Sequence, residues 1–213
     1  MQICEIFNSI QGEGIHAGRR ASFIRTWGCS MGCEFCDTKF ANEALEEKEQ
    51  AIDEIVADVH EIREKTGINL IIITGGEPTE QIKDLNDLVY QLKLRSFEIH
   101  LETNGTGKAI KYSEFNHVCM SPKDNVTQID AILKCGSVEL KFLYNRNDPD
   151  NSVLLAKGFK DVITQNALSI TVQPLDHGGD LLQQYHDLLL LDPFAEFATV
   201  RYLPQLHKLA NAH

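Results

Sequence analysis

The chain has 213 residues, 43% hydrophobic and 24% charged, with 31 acidic against 20 basic side chains and a formal net charge of -11. This is ordinary globular composition, enough for one compact domain over residues 1–213 with its own core and no need of disulfide staples. The acidic balance argues against nonspecific or direct nucleic-acid binding. The amino terminus lacks the pattern of a signal peptide, and no apolar run approaches the roughly 20 residues that span a bilayer, so no membrane association and a cytoplasmic location are expected.

Two apolar segments, 3–7 and 22–27, open the chain and read as strands, and a cysteine-bearing loop follows them. The acidic stretch 43–54 reads as a solvated approach to a helix. Ile52, Ile55, Val56, Val59 and Ile62 recur at three- and four-residue spacings, predicting a helix over 53–65 that Gly67 ends. Residues 69–74 form a continuous apolar run, as in a strand buried on both faces of a parallel sheet. A helix is predicted over 80–94, then strands over 97–102 and 117–120. There follow a helix over 126–133, a strand over 137–143, a helix over 150–157, a strand over 168–172 and a helix over 180–191. Segment 198–203 and a polar tail close the chain.

This alternation predicts an α/β fold with a mostly parallel sheet and right-handed crossovers. Functional residues should then gather at the carboxyl ends of the strands. Five polar motifs fall at such places: the cysteine loop after Trp27, and residues 74–78, 102–105, 121–123 and 173–174.

Of six cysteines, Cys29, Cys33 and Cys36 form a C-x3-C-x2-C triplet. Cys4, Cys119 and Cys135 are scattered among apolar neighbours and read as buried, inert thiols. Such clustering points to metal rather than to a disulfide framework. Three closely spaced thiolates can take three irons of a [4Fe–4S] cubane and leave the fourth open to an outside ligand. Gly28 and Gly32 suit a tightly wrapped loop, and Phe35 can shield a cluster. From the triplet alone a structural zinc site stays open, with Cys4 or a histidine as fourth ligand.

Thr74-Gly75-Gly76-Glu77-Pro78 directly follows the buried run. Paired glycines let backbone approach a ligand closely, and Glu77 offers a carboxylate beside them. Read alone, the motif could be a tight strand-to-helix turn with proline opening the helix. Together, triplet and motif resemble the radical S-adenosylmethionine (SAM) superfamily. That resemblance implies a [4Fe–4S] cluster and SAM as cofactors, with SAM filling the open iron position and the cluster reduced by a partner protein. The catalytic radical then comes from SAM and not from a side chain. The short chain and modest helical content imply a reduced, partial (β/α) barrel of that type.

Further stretches resemble one family, the 7-carboxy-7-deazaguanine synthases. They are residues 7–14 (FNSIQGEG), 23–25 (FIR), 36–38 (CDT), 102–106 (ETNGT), 121–123 (SPK), 173–176 (QPLD) and 205–208 (QLHK), spread in order along nearly the whole chain. The resemblance implies conversion of 6-carboxy-5,6,7,8-tetrahydropterin, the small-molecule partner, into 7-carboxy-7-deazaguanine with loss of ammonia. The steps it implies are hydrogen abstraction at C6, ring contraction and hydrogen return to SAM. It implies Mg2+ seated near the substrate carboxylate by Thr38. It also implies substrate contacts from Ile10, Gln11, Gly12, Glu13, Arg25, Thr74 and the terminal carboxylate of His213, where the family's usual proline is absent. SAM contacts are implied for Gly76, for Ser121, Pro122 and Lys123, and for Gln173, Pro174, Leu175 and Asp176. A homodimer is implied as well.

The residue chemistry suits these roles. Gln11 can donate and accept toward a pterin edge, and Glu13 accepts. Arg25 fits a carboxylate as a bidentate partner. Other readings remain. Residues 11–14 could be only a hairpin turn, and Arg25, inside an apolar strand, could pair with an acid of the chain. Lys123 and Asp124 could be plain surface charges. The chain could be another radical SAM enzyme, such as a glycyl-radical activating enzyme, although extra ferredoxin-type cysteines are missing. It could also be a noncatalytic zinc or iron–sulfur module.

Overall fold

The structure is a computed structural model that describes residues 1–43, 48–108, 110–123, 128–175, 181–197 and 199–210. The chain starts with strand β1 (Gln2–Ile10) and strand β2 (Arg20–Thr26). A short helix α1 (Phe40–Glu43) and strand β3 (Lys48–Glu49) lead into helix α2 (Ile52–Thr66) and strand β4 (Leu70–Gly75). Helix α3 (Ile82–Leu94), strand β5 (Glu98–Thr103), strand β6 (His117–Met120), helix α4 (Ile129–Ile132) and strand β7 (Val138–Tyr144) come next. The last elements are helices α5 (Pro149–Gly158) and α6 (Lys160–Asn166), strand β8 (Ser169–Pro174), helix α7 (Leu181–Leu191), strand β9 (Val200–Tyr202) and helix α8 (Leu206–Leu209).

All nine strands join one sheet in the order β3-β1-β2-β4-β5-β6-β7-β8-β9. From β2 to β9 every pairing is parallel, whereas β1 runs antiparallel to both β2 and β3. Among the described residues β9 has no strand beyond it, so the barrel is open, and the expected mostly parallel partial (β/α) barrel is what the chain forms.

The two faces of the sheet differ sharply. Ile24, Ile71, Ile73, Ile99, Leu101, Val118, Met120, Leu140, Phe142, Ile170 and Val172 face outward, into one large core with Ile55, Val59, Leu85, Leu88, Leu92 and Leu188 of the covering helices. Because side chains alternate along a strand, their neighbours face inward. Near β2 and β4 that inner face is apolar, with Ala21, Phe23, Leu70 and Ile72 packed beside Phe7. On β5 to β8 it is polar: His100, His117, Glu139, Lys141, Thr171 and Gln173 are all buried. Residues 11–19, between β1 and β2, line this inner face. Gln11 Nε2 donates to Glu102, the Ile15 amide donates to Glu139 at 2.9 Å, His16 packs on His100 and His117, and Arg19 pairs with Glu98.

Local chemistry sets the element ends. In α2 the Glu54 side chain accepts the Ala51 N–H at 3.1 Å, Asp53 and Glu54 lie in the first turn, and Gly67 closes the last. The helix expected over 80–94 begins as a 3-10 turn at Pro78–Gln81, because Glu77 caps the Thr79 amide and so sets a tighter first turn. Of the helix expected over 126–133 the described part is Ile129–Ile132, and residues 124–127, with Asp124, lie outside the described residues. Three short helices were not foreseen. Helix α1 precedes the acidic stretch, α6 follows α5 almost without a break, and α8 occupies the polar tail. Cys119 and Cys135 are buried as expected, but Cys4 is only half-buried.

Candidate active site

The carboxyl ends of the strands surround a cavity of about 430 Å³. That volume suits a small ligand with its cofactor groups. It is lined by loops far apart in sequence, among them all three cysteines of the triplet. Of the residues singled out from sequence, Ile10, Gln11, Gly12, Glu13, Arg25, Thr38, Thr74, Gly76, Ser121, Lys123, Gln173 and Leu175 line it too. Pro122 and Pro174 are buried beside it without lining it. Asp176 and His213 lie outside the described residues.

The cysteine loop leaves β2 at Thr26. Gly28 and Gly32 adopt φ of 89° and 57°, the left-handed region their type permits. Cys29, Cys33 and Cys36 are free and half-buried. Among the described residues, Glu13, Asp37 and His207 are the group that brings three metal-ligating atoms within 4.8 Å of one another; the three thiols spread wider. Two sulfurs on one zinc ion sit at ~2.3 Å from it and hence at most ~4.6 Å apart. The three thiols are therefore not placed as joint ligands of one zinc ion. Phe35 is exposed and carries the Lys123 ammonium 5.4 Å from its ring centre.

The glycine motif ends β4 against this loop. A Cβ on Gly76 would lie 1.8 Å from the Gly28 carbonyl oxygen, so only glycine allows the two loops to meet. Glu77 does not offer its carboxylate to a ligand, contrary to the sequence expectation. It is 1% exposed, and its oxygens accept from the Thr79 amide and hydroxyl, the Thr103 hydroxyl and the Asn104 amide at 2.6–3.0 Å. Burial raises this carboxyl, and the four hydrogen bonds oppose that shift. Glu77 thus ties the β4 loop to the β5 loop and leaves backbone to face the cavity. Among the described residues the side-chain oxygen Oε1 of Gln173 is buried without a hydrogen-bond partner, and Gln173 lines the same cavity. An orphaned buried acceptor is costly unless a ligand satisfies it. With three free thiols on the same cavity, it gives this end a donor set suited to a cluster and an amine-bearing cofactor.

At the other end, Arg25 pairs with an acid of the chain and also lines the cavity. Its Nε donates to Glu5 at 2.7 Å, its guanidinium lies 5.3 Å and 5.5 Å from the Phe7 and Phe40 ring centres, and it still lines the cavity. Thr74 is its neighbour across β2 and β4. Residues 11–14 lie in the β1–β2 connection, as a hairpin reading requires, and Gln11, Gly12 and Glu13 of them also face the site. Gln11 Nε2 donates to Glu102 Oε1 at 3.0 Å, and Glu13 Oε2 meets Lys141 Nζ at 2.5 Å.

Lys141, absent from every motif of the sequence, also lines the cavity, as do Asp37, Glu102, Gln205 and His207, which stand in such motifs but had been given no role at the site. Gln205 Nε2 donates to Glu13 at 2.8 Å and to Asp37 at 3.0 Å, the Leu206 amide donates to the Gly12 carbonyl at 3.0 Å, and Lys208 lies 3.6 Å from Asp37. The tail is thereby clasped onto residues 12–13 and the cysteine loop. A signal for Glu102 and Lys141 was present in the polar–apolar alternation of 98–102 and 138–142, which puts the polar set on one face. Burial pushes the Glu13 carboxyl up, but the Lys141 charge and the bonds from Gln205 and Lys141 prevail and bring it down to about 2. Burial lowers the His207 imidazole.

An open, mostly parallel barrel with three cysteines and a glycine motif at one mouth defines a radical SAM enzyme, and residues 23–142 match the Radical SAM superfamily model. The cofactors of that superfamily, a [4Fe–4S] cluster and SAM, are those of this chain. The 7-carboxy-7-deazaguanine synthase of Rickettsia prowazekii (strain Madrid E) is 34% identical over 213 residues, covering 98% of this chain and 87% of that protein. The one from Aquifex aeolicus (strain VF5) is 30% identical over 209 residues, covering 96% and 90%. The crystal structure of QueE from Escherichia coli shares the fold at a TM-score of 0.65 and 24% identity, covering 97% of this chain and 94% of that one. The chain belongs to the 7-carboxy-7-deazaguanine synthase family, and is a radical SAM lyase.

Proposed function

We propose that this chain converts 6-carboxy-5,6,7,8-tetrahydropterin into 7-carboxy-7-deazaguanine with release of ammonia. The observation that carries the reading is the placement of Gln11, Glu13 and Arg25 in one cavity with Cys29, Cys33 and Cys36. When bound, the cluster and SAM would supply the radical chemistry of hydrogen abstraction from the substrate.

The chain's own residues bind, orient and exclude water. Cys29, Cys33 and Cys36 hold the cluster. Gly76, Ser121, Pro122, Lys123, Gln173, Pro174, Leu175 and Asp176 serve SAM, with the unpartnered Gln173 oxygen as acceptor for a donor group. Ile10, Gln11, Gly12 and Glu13 read the pterin edge, whose donors and acceptors alternate in fixed order. Arg25 takes the substrate carboxylate while Phe7 and Phe40 hold its plane. Thr74 and His213 serve the substrate as well. Thr38 seats Mg2+, which prefers oxygen ligands and keeps several waters.

The same reading covers setting and partners. A small redox protein reduces the cluster, and the enzyme works in the cytoplasm. In support, no helix among the described residues is long and apolar enough to cross a membrane. A homodimer is supported by Leu189, Leu190 and Leu191, which are exposed together at the end of α7. The chain acts as one domain over 1–213. The test is anaerobic reconstitution with iron and sulfide, then turnover of the carboxytetrahydropterin with and without Mg2+. A deazapurine product that increases with Mg2+ is expected, and no product from enzyme carrying a full cluster refutes the reading.

A further inference from the structure

One lysine stands where a lysine is costly. Lys141 projects from β7 to the floor of the cavity and is 5% exposed. Its Nζ lies 2.5 Å from Glu13 Oε2 and 2.9 Å from Glu102 Oε2. The second oxygen of Glu13 accepts from Gln205 at 2.8 Å, and the second oxygen of Glu102 accepts from Gln11 at 3.0 Å. One ammonium therefore ties together the β1–β2 connection, β5, β7 and the carboxyl-terminal segment.

Two carboxylates around one cation leave a net negative charge among the three. Without the ammonium, two buried carboxylates this close would repel, and one would keep its proton. A protonated Glu13 would present a donor where its ionised form presents only acceptors. Burial disfavours the ammonium, and the charges of Glu102 and Glu13 more than reverse this, so Lys141 stays charged. A compact ammonium fits between two carboxylates that each have a second partner, where a planar fork would compete for their remaining oxygens.

We propose that Lys141 is a positioning residue for the pterin reaction, clamping Glu13 and Glu102 as paired ionised acceptors so that the cavity floor selects a ligand edge bearing N–H donors. The amino-pyrimidinone edge of a pterin is such an edge. This rests on the substrate reading above, and the experiment separates the two.

The variants are Lys141→Met, Lys141→Arg and the double variant Lys141→Met with Glu13→Gln, each normalised to cluster absorbance. In Lys141→Met the KM for the carboxytetrahydropterin rises about tenfold or more, with a smaller fall in kcat. Its kcat/KM acquires an acid limb in the near-neutral range that the wild type lacks, because Glu13, left buried beside Glu102, takes up a proton as pH falls. Lys141→Arg, which keeps the charge, restores the flat profile but not the wild-type KM, because its planar fork competes for the oxygens held by Gln11 and Gln205. Fluorescence titration with the oxidised 6-carboxypterin shows the same weakening without turnover. Unchanged KM and an unchanged pH profile in Lys141→Met overturn the proposal. Thermal melting gives an arm independent of substrate. The double variant recovers most of the midpoint lost in Lys141→Met, because the unpaired buried carboxylate is gone, and no recovery overturns the clamp. A wild type that forms no deazapurine refutes the substrate reading instead, and the melting arm then still decides whether Lys141 clamps the two carboxylates.

Discussion

Gly76 and Gly28 approach so closely that a single methyl group on Gly76 would overlap the Gly28 carbonyl, at 1.8 Å. The contact joins the end of β4 to the loop that carries the cysteines, and the Glu77 amide donates to the same carbonyl at 2.8 Å. Gly76→Ala must therefore push the two loops apart. SAM cleavage is expected to fall by about 100-fold or more, since a shift of an ångström at a reacting centre has that effect. Isothermal titration with SAM and assay of 5′-deoxyadenosine check it, and wild-type values for both would show that the contact is not needed.

Gly12 and His207 form the corresponding contact at the substrate end. A Cβ on Gly12 would meet His207 Nδ1 at 2.2 Å and the His207 amide nitrogen at 2.7 Å. Gly12→Ala is expected to unclasp the tail, raising the pterin KM by about tenfold with little change in cluster content. Steady-state kinetics beside the iron count decide it. A parallel loss of cluster would instead mark Gly12 as structural.

Arg25 is held by Glu5 and two aromatic rings, so its loss removes both a charge and packing. Arg25→Ala is expected to raise the pterin KM by about 100-fold while uncoupled SAM cleavage persists. Glu5→Gln, which keeps Arg25, should cost far less. Equal KM values for Arg25→Ala and wild type would remove Arg25 from the site.

The cysteines divide by environment. Cys33→Ala is expected to abolish the cluster. Cys135, whose thiol donates to the Phe115 and Ser137 carbonyls in the core, is expected to leave the cluster intact when changed to alanine, with a melting loss of about 2–6 °C. Iron and sulfide analysis after anaerobic reconstitution reads both, and equal losses would contradict the ligand assignment.

Acid should destabilise the chain in two stages. His16, His100 and His117 pack with ring centres 4.4–5.2 Å apart on the inner face of the barrel. Burial, then the neighbouring histidines, lower His100 from 6.5 to about 4, and burial lowers His16 as well. Above pH 6.5 the imidazole of His100 is neutral in both folded and unfolded chains. As pH falls from 6.5 toward 4 the unfolded chain takes up the proton first, so stability is lost across that window. Glu98, held down to about 2 by its bond to Arg19, and Glu13, also at about 2, contribute stability above 4.5 that is lost between 4.5 and 2. Urea melts of the apoprotein across pH should show both losses. His100→Gln should flatten the upper one, and a wild-type profile level between pH 6.5 and 4 would contradict the His100 shift.

Much of the chemistry was legible in the chain itself. The apolar run 69–74, the stripe of α2 and the strand–helix alternation led to a parallel α/β barrel because they report local periodicity and burial, which neighbouring residues determine between them. The cysteine triplet and the glycine motif pointed to cluster and cofactor because their spacing is short and their chemistry unusual. The inward face was harder to read. Glu102 and Lys141 stand in strands predicted correctly, in an alternation that marks a polar face, but only sheet curvature decides that this face closes on a cavity and not on water. Glu77 looked like a ligand group and proved to be a brace, since its four donors come from residues up to 27 positions away. Gln205 and His207 lay in a tail read as polar, and their place beside Glu13 depends on contacts nearly 200 residues apart in sequence. Local pattern determined which elements form and what cofactor they suit. Which charges meet inside the barrel was decided by tertiary structure alone, because pairing a buried ion depends on what the fold brings within hydrogen-bond reach.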